Sequence, residues 1–208
     1  MNILIADVHA IVRKGLIQLL SEGLPDIAVF EAVNSGEVMS HIRNNQLDVI
    51  LMDISMPGRN GIETLKQIRH EGIRTPVLML SMHPEDQYAV RSLKAGASGF
   101  INKESATVEL LAAVKKVLDG GRYISPSVAE KLAEAVSEKG TLPGHEHLSD
   151  REMEVLQQIA TGKTVSEIAQ HLSLSVNTIS TYRTRLLDKL HLSNNAEITR
   201  YAIENHLV

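Results

Sequence analysis

The sequence predicts two folds in succession. Residues 1–120 predict an α/β fold, a five-stranded, doubly wound parallel sheet, and residues 148–208 predict a small all-α domain of four helices. Residues 121–147 join them as a linker that carries one helix. Three observations carry this division. Uninterrupted apolar runs, "VILM" at 49–52 and "VLML" at 77–80, have the composition of strands buried on both faces, as in a parallel sheet. Five strand patterns alternate with helical ones, the order that a sheet covered on both faces requires. Beyond residue 121 the strand pattern stops.

In order, strands are expected at 2–6, 27–32, 49–53, 76–80 and 98–102, and helices between and after them at 10–22, 35–44, 61–71, 85–95 and 106–119. "GGRYISPS" breaks the alternation, residues 126–137 read as a lone helix, and "EKGTLPGHEH" reads as linker because Gly, Pro and charges interrupt any period. Ser149 with Glu152, and Thr164 with Glu167, have capping-box spacing and mark two helix starts. The last four helices are expected at 150–161, 165–172, 176–190 and 195–204.

Composition narrows the function classes. The chain has 208 residues, 43% of them apolar, enough for packed cores in two small domains. It has no Cys, which excludes a disulfide framework, a thiolate metal site and a Cys nucleophile. No apolar run approaches the ~20 residues of a membrane span, and no basic-then-apolar leader opens the chain, so a cytoplasmic protein is expected. The net charge of -4 means that any surface for nucleic acid must be a local one. The two His of "GHEH" are too few for a metal site.

Ligands of doubly wound sheets bind at the carboxyl ends of the strands. There the sequence places Asp7 after strand one, Asp53 at the end of strand three, Ser81 after strand four and Lys103 after strand five. A carboxylate can attack a phosphoryl group and form an acyl phosphate. The transfer needs charge neutralisation, which Mg2+ on carboxylates and a backbone carbonyl, together with Lys103, would supply, while Ser81 donates to a phosphoryl oxygen. "IAD", "LMDISMPGRNG", "LMLS" and "GASGFINK" resemble the receiver domain of two-component response regulators, a flavodoxin-like fold. The resemblance implies Asp53 as phosphoacceptor, Ser81 and Phe100 as a switch pair in which the ring follows the hydroxyl inward, and Lys103 as the phosphoryl-contacting lysine. It implies Asp7, Asp53 and the carbonyl of Ser55 as metal ligands. Val8 departs from the pattern, since receivers usually carry a second acid there. A weakened Mg2+ site is expected in consequence.

Residues 165–190 have helix-turn-helix spacing, with Ser173 in the turn. The second helix would lie in a major groove of double-stranded DNA. Ser180, Thr181, Arg183 and Thr184, with Arg185 and Lys189 further on, are expected on its exposed side. The hydroxyls and an Arg would read bases, and Asn177, Thr178, Tyr182 and Lys189 would touch phosphates. The stretch beginning "LSDREMEVLQQIATGKTVSEIAQHLSLS" resembles the LuxR-type helix-turn-helix, which implies that the last helix pairs two copies through Ile198, Tyr201 and Ala202, with Val208 beside them. Where that family often carries Lys and His, this chain has Ser180 and Tyr182, which bears on base specificity. Together the two resemblances imply a NarL/FixJ-type regulator, not an enzyme: a homodimer when active, phosphorylated by a sensor histidine kinase. Two other readings compete. An aspartyl-phosphate phosphatase would carry an acid where Ser55 stands, and a regulator with a phosphorylation-independent receiver is motivated by Val8.

Overall fold

A computed structural model describes residues 1–208 except 83–84, 138–143 and 206; part of the expected linker therefore lies outside the described residues. The chain forms two compact units, Met1–Ser137 and Glu138–Val208.

The first unit is built on strands β1 (Asn2–Ala6), β2 (Ala28–Ala32), β3 (Val49–Asp53), β4 (Val77–Ser81) and β5 (Gly99–Asn102), all parallel, in the order β2-β1-β3-β4-β5. Helices α1 (Ala10–Gly23), α2 (Ser35–Asn44), α3 (Gly61–His70), α4 (Glu85–Lys94) and α5 (Ala106–Leu118) cover the two faces. β3 and β4 are buried at every position, as their apolar runs predict, whereas the edge strand β2 is half open to solvent. Side chains alternate between layers: Ile3, Ile5, Leu51, Leu78, Leu80 and Ile101 join Leu16 and Leu20 of α1 and Leu110 and Val114 of α5 in one core. Helix α6 (Pro126–Ser137) packs on α4 within this unit, and Tyr123 bridges to Gly99 at the edge of β5.

The second unit holds a 3-10 turn, Gly144–His147, and helices α7 (Asp150–Ala160), α8 (Val165–Leu172), α9 (Val176–Leu190) and α10 (Asn195–Glu204). Both predicted capping boxes are closed. The Ser149 hydroxyl accepts from the Glu152 amide while Glu152 reaches back to the Ser149 amide, and Thr164 with Glu167 does the same. The 3-10 turn is an addition to the sequence reading. Its His145 amide donates to the Tyr201 hydroxyl at 3.2 Å, anchoring the turn on α10.

Among the described residues no helix is long and apolar enough to cross a membrane.

Candidate functional site

The strand order reverses between β1 and β3, the switch point where doubly wound sheets leave a crevice. Ala6 pairs with Met52, so Asp7 and Asp53 leave the sheet side by side. Asp53 pairs with Leu80, and Ser81 with Asn102, which puts Ser81 one step beyond Asp53 and Lys103 just past the end of β5. The Lys103 amide donates to the Ser81 carbonyl at 2.8 Å, fixing the lysine backbone to the rim.

The side chains of Asp7, Asp53 and Lys103 therefore meet, with Ser81 at the adjacent strand end. Lys103 Nζ lies 2.7 Å from Asp7 Oδ2 and 2.9 Å from Asp53 Oδ1. Asp7, Asp53 and Ser81 are all but inaccessible to solvent. Burial raises the Asp53 carboxyl above the ordinary carboxylate range. The Asp7 charge adds to the rise, and Lys103 with the Ser55 amide offsets it only in part. Asp53 Oδ2 is buried with no hydrogen-bond partner, and Asp7 Oδ2 has only the ionic contact with Lys103. An orphaned buried carboxylate oxygen costs energy until a cation or donor meets it. Asp7, His9 and Asp53 each offer a ligand atom within 4.8 Å of the others, so the donor set fits a divalent cation. Ser55 contributes its amide to Asp53. Phe100 is already buried, at 1% exposure, so in this conformation its ring has no inward path left to follow.

The loop after β3 is held by glycine. A Cβ on Gly61 would stand 2.1 Å from the Asp53 carbonyl oxygen, and the Gly61 amide donates to Ile54 O at 2.8 Å. Gly58 turns the chain at φ +74°. Three further residues shape the rim and were not singled out from sequence. The His9 amide and Nδ1 both approach Asp7 Oδ1, at 2.7 and 3.1 Å. Arg13 donates to the Asp7 carbonyl at 2.8 Å and pairs with Glu31 at 2.6 Å. The i, i+4 spacing of His9 and Arg13 at the start of α1 was the available signal. Val8 is 42% exposed beside them and contributes no oxygen ligand from its side chain.

In the second unit α8 and α9 pack through Ile168, Ala169, Leu172 and Ile179, all buried, around a turn in which Ser173 is left-handed at φ +53°. The Ser175 hydroxyl caps α9 by accepting from the Thr178 amide. Asn177, Ser180, Thr181, Thr184 and Arg185 are exposed, and Thr178, Tyr182 and Arg183 half-buried. Asn177, Thr178, Thr181, Tyr182 and Arg185 line one shallow depression. Thr181 and Thr184 donate their hydroxyl protons to Asn177 O and Ser180 O, leaving oxygen lone pairs and methyl groups outward.

Three expected residues have other partners in the structure. Arg183, expected to read bases, donates its Nε to Asn195 Oδ1 at 2.6 Å, whereas Arg185 lines the depression. The Lys189 ammonium, expected on phosphate, sits 2.6 Å from Glu152 and donates to His147 O. Burial raises the Glu152 carboxyl, but Lys189 and the Ser149 amide and hydroxyl together hold it below the ordinary value. Ile198 and Ala202, expected between two copies, have no accessible surface because α10 packs on α7. Tyr201 spends its hydroxyl on His145.

Comparison with known proteins agrees with this geometry. Residues 3–115 match the response regulator receiver domain, and residues 146–202 match the luxR family of bacterial regulatory proteins. The chain is 34% identical to the response regulator UvrY of Escherichia coli K12 over 99% of this chain and 95% of that one. It is 38% identical to the transcriptional regulatory protein UhpA of the same organism, over 96% of each. Among solved structures, RcsB of Salmonella typhimurium superposes with a TM-score of 0.59 at 28% identity over 97% of each chain. The response regulator ChrA superposes with a TM-score of 0.52 at 29% identity over 100% of this chain and 98% of that one. The family is one of transcriptional regulators rather than enzymes. A receiver fold with its acidic rim, followed by a capped helix-turn-helix unit, places the chain among the two-component response regulators of the NarL/FixJ type, with a LuxR-type DNA-binding domain.

Proposed function

We propose that Asp53 is the phosphoacceptor and that its phosphorylation controls dimerisation and DNA binding by the C-terminal domain. The observation that carries this is the buried Asp53 carboxylate at the switch point, with Lys103 on one oxygen and the other unpartnered. A carboxylate oxygen of Asp53 attacks phosphorus, a P–O bond forms, the bond to the donor's leaving group breaks, and that group carries away its electron pair and takes up a proton. The donor is a sensor histidine kinase. Lys103 offsets charge on the phosphoryl oxygens, and Ser81 donates its hydroxyl to one of them. Asp7, Asp53 and the Ser55 carbonyl would hold Mg2+, which supplies charge neutralisation when bound. That site is weak, because Val8 withholds a carboxylate that would ligate the ion directly. Phe100, buried on the neighbouring strand β5, is the packing element of the switch.

DNA is read through the depression on α9. Arg185 is the leading base-reading cation, with Ser180, Thr181 and Thr184 beside it and Arg183 steadied by Asn195. Asn177, Thr178 and Tyr182 bind phosphate. The RcsB structures include two dimers bound to DNA, and a promoter complex with the phosphomimetic BeF3- at 28% identity to this chain. The active form here is likewise a dimer on DNA. Its seam draws on outward side chains of α10 such as Ile203, which is 60% exposed, in place of Ile198 and Ala202. The protein works in the cytoplasm, where kinase and DNA are both within reach.

The test is labelling of the full chain with a phosphodonor, read by intact mass. The parent gains one phosphoryl group and Asp53→Asn gains none. Label that persists on Asp53→Asn refutes the assignment.

A further inference from the structure

Resting on the reading of Asp7 and Asp53 as a divalent-cation site, we infer that His9 is a nitrogen ligand of that site. It tilts the choice of ion from Mg2+ toward a first-row transition ion, for which Mn2+ is the probe. Receivers ligate their cation through oxygen, and Val8 removes one of those oxygens. The structure puts an imidazole within the same compass. A ring nitrogen of His9 and a carboxylate oxygen each of Asp7 and Asp53 lie within 4.8 Å of one another, a span that opposite and adjacent ligands of one ion can occupy. The Nδ1 to Asp7 Oδ1 distance is 3.1 Å. Two ligands at right angles around an ion with bonds of about 2.1 Å stand about 3 Å apart, so this pair is spaced as neighbours in a coordination shell.

An independent feature points to a cation in the same place. Asp53 is 1% exposed, and its Oδ2 has no hydrogen-bond partner. The ring of His9 is aimed rather than loose at its base, because its backbone amide is held on Asp7 Oδ1 at 2.7 Å and α1 begins at the next residue. Its side chain is 59% exposed, so one ring nitrogen can face water while the other meets an ion. Imidazole suits transition ions, whereas Mg2+ demands an oxygen octahedron and retains its waters. Exchanging an oxygen donor for a nitrogen one therefore changes which ion is favoured as well as how tightly it is held.

The experiment uses the full chain, its His9→Phe variant, which keeps an aromatic ring without nitrogen, and Asp7→Asn. Mg2+ and Mn2+ affinities are measured by calorimetry, and the bound Mn2+ by pulsed EPR for modulation from a coordinated imidazole nitrogen. The parent is expected to show that modulation and His9→Phe to lack it. The Mn2+ to Mg2+ affinity ratio is expected to fall at least about tenfold in the variant, since even groups outside the ligand shell cost that much when lost. Asp7→Asn is expected to weaken both ions. Unchanged nitrogen modulation and an unchanged ratio in His9→Phe would overturn the role of His9 while leaving the Asp7 and Asp53 site standing. A parent that binds neither ion would overturn both.

Discussion

Gly61→Ala tests whether the loop after β3 aims the phosphoacceptor. Gly61 opens α3 directly beside the end of β3, where its missing side chain leaves room for the Asp53 carbonyl. An ideal Cβ would lie 2.1 Å from that oxygen and 3.0 Å from the Asp53 carbonyl carbon and from Ile54 Cα. All three neighbours are backbone, so no side chain can rotate away. To reach even the shortest tolerated contact, 3.0 Å, the strand end and the helix start must part by about 0.9 Å. The hydrogen bond from the Gly61 amide to Ile54 O, 2.8 Å long, stretches with them. Overpacking of this kind costs about 1–3 kcal/mol and a weakened hydrogen bond about 1 kcal/mol more, so the variant should lose about 2–4 kcal/mol. The displaced residue carries the nucleophile, and a misplacement near 1 Å costs about a hundredfold in rate. Urea denaturation gives the first quantity and the rate of labelling by a small phosphodonor the second. A variant within 0.5 kcal/mol of the parent that labels at the same rate would refute the packing argument.

Asp53→Asn should stabilise the unphosphorylated receiver at pH 7. The folded pKa of Asp53 is raised, so its contribution to stability is present below the unfolded value near 3.9 and is lost as pH rises through the folded value. The advantage of Asn opens over that rise and closes below it; equal urea midpoints at pH 7 would contradict this. Ser173→Gly removes a side chain from a left-handed residue in the helix-turn-helix turn, and thermal melts should show a gain of up to about 1 kcal/mol. Arg185→Ala should cost about 1–3 kcal/mol of affinity for a selected DNA site. Lys189→Met should instead lower the stability of the second unit by about 1 kcal/mol, since its ion pair with Glu152 is partly exposed. Because the Glu152 carboxyl lies below its ordinary value, that stability is present above the unfolded pKa and fades as pH falls through the folded one. DNA affinity lost with Lys189 at full stability would restore it to the phosphate-contacting set.

What could be read from the sequence was what is encoded locally. The apolar runs of β3 and β4 placed both strands, and two capping boxes placed the starts of α7 and α8 to the residue. The convergence of Asp7, Asp53, Ser81 and Lys103 followed from strand ends alone, because a parallel sheet brings all carboxyl ends to one edge. What could not be read depends on partners far along the chain. Lys189 and Glu152 are 37 residues apart, and His145 and Tyr201 are 56 apart; neither pairing leaves a periodic trace. Period alone also could not say which apolar face of α10 is interior. Ile198 and Ala202 lie four residues apart on the face that meets α7, and an inward stripe and a dimer seam have the same spacing.

Val8 joins these two kinds of information. In sequence it is a missing acid, and in the structure it is an exposed apolar side chain beside two buried carboxylates that share one ammonium. That trio sums to one negative charge. A second acid in place of Val8 would make it two, in a rim where burial already penalises the ionised Asp53. The chain thus holds its unphosphorylated rim at lower electrostatic cost than the usual pattern does. A phosphoryl group on Asp53 replaces one carboxylate charge with about two. The added charge falls where Val8 gives no help in gathering a cation, so Lys103 and Ser81 must rearrange around it. On the proposed reading, the same substitution that eases the resting state makes the phosphorylated state lean harder on the protein's own donors, Ser81 at the carboxyl end of β4 and Lys103 just past the end of β5.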